Sequence, residues 1–476
     1  LSKPDDDWRD SMTIQAEKMI ASTNPATGET LAQIAHDTAN QVEGKIEAAH
    51  RAQLVWSEMP LDHRCALLGR IADSLRARSD HYAHLISVEM GKPIVEAEGE
   101  IEKCAWTCEH YRDHAAEYLA SEQVASNATL SEIVYDPLGV ILAVMPWNYP
   151  FWQYFRFVAP ALAAGNGALL KHASNVPQCA LAIAEVMKAA GAPDGLTATL
   201  MIGSGLVQGV LADSRVAAVT LTGSTEVGAT VAAQAGMLLK KQVLELGGSD
   251  PFIVLEDADL EAAVETAVKA RFQNTGQSCI AAKRFIVVDA IADRFAEAFT
   301  ARAKKLRIGD PLARDTQQGA MARLSLRDEL HDQVCRSIEE GAKLLCGGAP
   351  VEGPGAFYLP TVLDHVTAGN TVFREETFGP VAAIVRVRDA DEAVTLANQS
   401  EFGLGAAIWT ADEDRGRKLA RRVQAGAVFI NGLVASDPRL PFGGIKRSGY
   451  GRELGANGLR EFTNIKTVWV GPVRPQ

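Results

Sequence analysis

The tetrapeptide Gly276-Gln277-Ser278-Cys279 sets a cysteine between small polar residues on a loop that precedes an apolar run. A thiol placed there is accessible in a way that Cys65, on an apolar helical face, is not, so Cys279 is a candidate nucleophile. The alternative is a buried structural cysteine, a common state of a free thiol. L-E-L-G-G-S-D-P, Leu244 to Pro251, puts Glu245 at a strand end before a Gly-Gly turn, a position for a general base or for an ordinary solvated carboxylate. P-W-N-Y-P, Pro146 to Pro150, is a stiff turn whose Asn148 amide can donate to an oxyanion or simply close the turn. In T-G-S-T-E-V-G, Thr222 to Gly228, a strand gives way to a helix. There Gly223, Ser224 and backbone N–H groups can face a pyrophosphate, or form a plain helix cap. Gly228 is followed by Ala229, which excludes a Walker loop, and Gly203, Gly205 and Gly209 miss the dinucleotide spacing by one residue.

These residues need elements to hold them. A chain of 476 residues has room for two or three domains, and 47% hydrophobic with 22% charged residues is the balance of a packed globular protein. The net charge of −12, with no basic run against it, argues against nucleic-acid and anionic-membrane partners. The longest apolar stretch, Gly139 to Trp147, falls short of the roughly 18–20 residues that span a bilayer. The N-terminus is too acidic and polar for a secretory signal, and Met12 can be an internal start, so a cytoplasmic location is expected. Seven cysteines without a C-x-x-C pair, and few histidines near them, predict reduced thiols and no metal site.

Val42, Ile46, Ala49, Ala52 and Trp56, then Leu61, Cys65, Leu68, Ala72 and Leu75, recur at helical spacing, so the first hundred residues read as amphipathic helices. From about residue 120 the pattern turns to strand and helix. The runs Gly139 to Met145, Ala168 to Lys171, Thr199 to Ile202 and Val216 to Leu221 predict a parallel, doubly wound sheet. Phe252 to Leu255, Phe285 to Val288 and Val381 to Val387 begin a second series. The fold class is therefore α/β: a Rossmann-like cofactor domain (1–120 and 137–246), a second α/β catalytic domain (247–448) and a small β oligomerisation arm (121–136 and 449–476). Gln123 to Tyr135 and Ile465 to Val470 are the arm's strands, of the kind that pair across subunits.

In order, P-W-N-Y-P, T-G-S-T-E-V-G, L-E-L-G-G, G-Q-S-C, E-E-T-F-G-P (Glu375 to Pro380) and P-F-G-G-I-K-R-S-G-Y-G-R-E-L-G (Pro441 to Gly455) resemble the aldehyde dehydrogenase superfamily. The resemblance runs from N-P-A-T-G-E, Asn24 to Glu29, to the C-terminus. It implies that Cys279 attacks an aldehyde to give a thiohemiacetal, with the oxyanion held by Asn148 and the Cys279 N–H. Hydride transfer then leaves a thioester, which Glu245 hydrolyses through water. An ordinary thiol is only about 3% ionised at neutral pH, so a pKa lowered to about 7 would raise the thiolate roughly 15-fold. The resemblance further implies that Lys171 reaches the adenosine ribose, Ser224 the pyrophosphate and Glu376 the nicotinamide ribose, with Phe378 near the nicotinamide and Trp147 and Gly223 in the same site.

Arg156 lies eight residues after Asn148 among aromatic neighbours, where a structural ion pair is one explanation. In the similar bacterial succinate semialdehyde dehydrogenases an arginine at this place binds the substrate carboxylate; Ser436 in N-G-L-V-A-S-D-P would share it, and Trp152 and Phe442 would line the channel. The expected substrate is a small aldehyde with a distal carboxylate, and the expected assembly a homodimer or homotetramer. A broad-specificity aldehyde dehydrogenase is the enzymatic alternative. A non-catalytic crystallin-like oligomer is the other, though its catalytic set would have decayed and Cys279, Glu245 and Asn148 are all present. Many relatives read K-P-x-E where this chain has Lys171-His172-Ala173-Ser174; losing the carboxylate removes the repulsion of a 2′-phosphate, so NADP is expected to be preferred and NAD accepted.

Overall fold

The computed structural model describes residues 19–471, so Met12, the acidic N-terminal run and residues 472–476 lie outside it. The chain opens with an antiparallel hairpin, β1 (Met19–Thr23) and β2 (Thr30–Ala35), in which Ile20 pairs with Ile34. This departs from the all-helical expectation, because strands this short give little alternation to read. Four helices follow: Ala39–Ser57, Leu61–Ala77, Ser79–Met90 and Ile94–Tyr118. Thr38 and Gln41 form a reciprocal capping box that starts the first, and Val42, Ile46, Ala49 and Trp56 face inward from it.

The next strands are β3 (Glu122–Gln123), β4 (Leu130–Pro137), β5 (Val140–Met145), β6 (Gly167–His172), β7 (Thr197–Thr199), β8 (Val216–Thr222) and β9 (Lys241–Glu245). The second series comprises β10 (Asp250–Val254), β11 (Ala282–Val288), β12 (Lys343–Cys346), β13 (Thr361–Asp364), β14 (Val381–Val387), β15 (Phe402–Gly403), β16 (Gly405–Trp409) and β17 (Ala427–Ile430). Last come β18 (Ile445–Lys446), β19 (Gly449–Tyr450) and β20 (Thr463–Val470).

The first large sheet has the order β19-β9-β8-β5-β6-β7, parallel except for β19. Its order reverses between β5 and β8, the switch point at whose carboxyl ends open α/β sheets bind ligands. The second has the order β12-β13-β14-β11-β10-β16-β17, parallel except for β12. Buried on both faces, these strands are largely apolar runs, as Val140–Met145 and the first five residues of Val381–Val387 illustrate. The run expected at Thr199 to Ile202 pairs two residues earlier, as Thr197–Thr199 against β6.

A third, antiparallel sheet joins β20, β4 and β3, with Thr463 opposite Pro137 and Val470 opposite Leu130. The expected 449–476 arm is divided. Gly449–Tyr450 adds an edge to the first sheet against Glu245 and Leu244, and the Gly455–Glu461 helix packs on the helices Ile94–Tyr118 and Trp152–Ala163, so among its described residues only β20 joins the arm's sheet. The glycine-rich run from Gly443 to Gly451 makes that return possible and carries Glu453 back toward Glu245.

Candidate active site

Cys279 sits after a backbone held in an uncommon conformation. Asn274 and the β-branched Thr275 both have positive φ, 53° and 55°, a strain that persists only where surroundings over-determine it. Here they do. The Asn274 N–H donates to Glu96 at 2.7 Å, its Nδ2 donates to Asn148 O at 2.8 Å and Gln277 O at 3.1 Å, and Thr275 Oγ1 donates to Gly319 O at 3.3 Å. The buried Arg271 guanidinium donates to Gly276 O at 2.8 Å and also to Gly379 O, tying the cysteine loop to the Glu375–Pro380 segment. Opposite, Gly248 comes so close that a Cβ there would lie 2.5 Å from Cys279 O, which is why the turn after Glu245 needs glycine.

Lys283, also buried, donates from Nζ to Cys279 O at 2.9 Å and Ser278 O at 3.0 Å and lies 3.4 Å from Glu376 Oε1. The Asn148 amide donates to Gln277 O at 3.0 Å, leaving its second N–H for another acceptor. Burial pushes the Cys279 thiol up to about 12, against the pull of Arg156 and Lys283 and with Glu376 and Glu245 adding to the rise. The gain that a pKa lowered to about 7 would bring is therefore not in place at this thiol. The nearby cations are engaged by other groups, so the thiol needs a proton acceptor when it attacks.

Glu245 ends β9, its carbonyl accepting from Gly223 N at 3.0 Å. Its side chain is buried and both carboxyl oxygens lack a hydrogen-bond partner among the described residues. Burial first, then Glu453, raises its pKa well above the ordinary carboxylate range. A Cβ at Gly443 would stand 2.7 Å from Glu245 Oε1, so that glycine leaves the carboxylate its space. Arg156, on the wholly buried Trp152–Ala163 helix, makes an ion pair through Nε with Glu453, though the contact lacks hydrogen-bond geometry at Nε. Its Nη2 donates weakly to Thr222 Oγ1 at 3.4 Å, and its guanidinium lies 4.7 Å over the Phe442 ring. The structural ion pair named as the alternative for Arg156 is thus present.

A cavity of about 720 Å³ reaches the thiol; Cys279, Trp152, Arg156, Ser436 and Phe442 line it, together with Lys103. Lys103 was not singled out in the sequence: it lies between two acids of a long helix, Glu100 and Glu109, in a pattern that reads as a solvated face. Glu453 lay inside a quoted motif but carried no signal of its own, and nothing local marked Lys283 or Arg271 as loop anchors.

The dinucleotide candidates gather at the switch point. Trp147, after β5, meets Phe378 edge-on with ring centroids 5.6 Å apart. Gly223 follows β8, and Ser224 caps the Thr225–Met237 helix by accepting from Val227 N at 3.4 Å. Glu376 accepts from Gly248 N at 3.0 Å. The Lys171 side chain, on a residue 8% exposed, has neither a hydrogen bond nor an ion pair among the described residues, and burial lowers its pKa. A lone cation, a helix N-terminus and a carboxylate acceptor fit a dinucleotide's phosphates and ribose. Ser174 lies exposed in the turn after β6. Beside it, His172 accepts from Ala173 N at Nδ1, 2.8 Å, and so donates from Nε2 to Pro150 O at 2.9 Å, which joins this turn to P-W-N-Y-P.

Sequence and structure comparisons agree on the family. A model described as the Aldehyde dehydrogenase family matches residues 8–468. A probable NADP(+) succinate-semialdehyde dehydrogenase of Synechocystis sp. is 51% identical over 95% of this chain and 99% of its own. An NAD(P)+ succinate semialdehyde dehydrogenase of Escherichia coli is 51% identical over 96% of this chain and 99% of its own. Among solved structures, succinic semialdehyde dehydrogenase from Streptococcus pyogenes in complex with NADP+ superimposes with a TM-score of 0.93 at 38% identity, covering 95% of this chain and 100% of that one.

Proposed function

The chain belongs to the aldehyde dehydrogenase family, and on that premise we propose that it oxidises succinate semialdehyde to succinate, preferring NADP and accepting NAD. One observation carries the substrate reading: the cavity that reaches Cys279 is lined by two cations, Lys103 and Arg156, and by the Ser436 hydroxyl, groups that together suit a carboxylate, between the aromatic walls of Trp152 and Phe442. The Cys279 sulfur bonds to the aldehyde carbon as the C=O π electrons move onto oxygen, and the thiol proton passes to solvent water. The second N–H of Asn148 and the Cys279 N–H hold the oxyanion, each such donor contributing about 3–4 kcal/mol to the transition state. The bound nicotinamide cofactor supplies the hydride acceptor. Lys171, Ser174, Gly223 and Ser224 hold its adenosine and phosphate end, and Glu376, Phe378 and Trp147 its nicotinamide end.

Glu245 then takes a proton from the water that cleaves the Cys279 thioester. A carboxyl whose pKa is raised by burial is a stronger base once ionised, which suits it to that step. Comparing kcat/KM for succinate semialdehyde and for butanal, of equal chain length without the carboxylate, tests the reading; equal values overturn it.

A second reading, a broad-specificity aldehyde dehydrogenase, is favoured by the engagement of Arg156 with Glu453. The exposed Ile465, Trp469 and Val470 of β20 support a homo-oligomer that covers this edge. Seven free cysteines support a reducing, cytoplasmic setting, and among the described residues no helix is long and apolar enough to cross a membrane.

A further inference from the structure

We propose that Lys103, acting with Ser436, is the residue that recognises the substrate's carboxylate. The proposal rests on the substrate reading above and assigns to Lys103 the charge contact first expected of Arg156. Lys103 projects from the Ile94–Tyr118 helix into the wall of the cavity that holds Cys279. Its Nζ donates to Ser436 Oγ at 2.8 Å and sits 4.3 Å from the centre of the Trp152 ring.

No carboxylate answers that charge. Among the described residues Lys103 forms no ion pair, whereas Arg156 in the same wall is neutralised by Glu453. The acids that face Lys103 are already taken. Glu100 is paired with Lys92 and accepts the Phe151 and Trp152 N–H groups, at 2.9 and 3.0 Å. Asp437 is paired with Arg439 at 2.6 Å. The half-buried Lys103 is therefore a cation without a protein counter-charge, in a cavity that must accept an anion.

Burial, then the charge of Arg156, lowers Lys103 to about 8, with Cys104, Asp437 and Glu100 opposing the fall. A bound carboxylate relieves that cost, so the site gains more from an anionic ligand than a solvated lysine would. Ser436, accepting from Lys103, keeps its own O–H to donate to the second carboxylate oxygen. An aldehyde without the acid group leaves the cation unanswered, and this difference supplies selectivity.

The test is the ratio of kcat/KM for succinate semialdehyde to that for butanal in the parent, Lys103→Gln and Lys103→Arg. Glutamine keeps a donor for Ser436 and removes the charge; arginine keeps the charge. The ratio should fall by about 10- to 150-fold in Lys103→Gln, mainly through KM for the acid aldehyde, and stay within about threefold of the parent in Lys103→Arg. A Lys103→Gln ratio matching the parent's, or equal losses in both variants, overturns the assignment. A parent with no preference for the acid aldehyde overturns the substrate reading beneath it, a failure visible without any variant. Should Lys103→Gln not fold, the parent carries the test. The inhibition constant of succinate against butanal oxidation should weaken as pH rises past about 8, where Lys103 loses its proton, and a constant that stays flat overturns the assignment.

Discussion

Arg156 and Glu453 face each other in an ion pair closed to water, each side chain only 2% exposed. Glu245 feels both charges and has no hydrogen-bond partner of its own among the described residues. Removing the arginine leaves two carboxylates buried together, and breaking one side of such a pair costs roughly 3–5 kcal/mol. Arg156→Ala is therefore expected to lower the urea midpoint and to reduce turnover of succinate semialdehyde and butanal alike. An unchanged midpoint with loss on the acid aldehyde alone would instead make Arg156 a carboxylate ligand.

Cys279 joins the structure through its carbonyl, which Lys283 holds at 2.9 Å, and its sulfur accepts no hydrogen bond among the described residues. Cys279→Ala keeps that anchor. It should leave NADP binding, followed by quenching of protein fluorescence, unchanged while hydride transfer disappears. Residual turnover above about 1% of the parent would remove Cys279 from the covalent step.

Glu245 must be ionised to activate water, and burial with Glu453 keeps it protonated to higher pH than an ordinary carboxylate. The sign follows: thioester hydrolysis is slow in acid and rises with pH through that elevated pKa. Glu245→Gln should give a burst of one reduced cofactor per site, then a slow steady state that no longer climbs with pH. Stopped-flow absorbance separates the phases. With the Cys279 thiol raised to about 12, a proton acceptor is also needed earlier; equal loss of burst and steady state would place Glu245 in that step.

The parallel strands were legible because burial on both faces makes them apolar runs, and Val381–Val387 was read to the residue. The hairpin at Met19–Ala35 and the return of Gly449–Tyr450 to the first sheet were not, since pairing between distant short segments leaves no local period. At the site, Cys279, Glu245 and Asn148 stood in motifs that stiff turns and glycines mark. The groups that set their charge did not. Glu453 approaches Arg156 from almost three hundred positions away, and Lys103 meets Ser436 across 333 positions, so burial and pairing there are products of tertiary structure alone.

Selection of the cofactor turns on the end of β6. Lys171 there is 8% exposed and unpaired among the described residues, and Ser174 is exposed in the turn before the Pro177–Ala189 helix. His172 is neutral, burial lowering it to about 4, and its two hydrogen bonds to Ala173 and Pro150 fix the start of that turn. A 2′-phosphate brings about two negative charges at neutral pH; Lys171 attracts it and the Ser174 hydroxyl can donate to it. A carboxylate at the same position repels the phosphate and accepts from the ribose hydroxyls of NAD. Ser174→Glu is therefore expected to lower the ratio of kcat/KM for NADP to that for NAD by roughly 10- to 100-fold, with succinate semialdehyde saturating in both assays. The change should come from both directions, a weaker NADP and a stronger NAD. A parent that favours NAD by about tenfold or more, or a ratio that the glutamate leaves where it was, would move the selector away from Ser174.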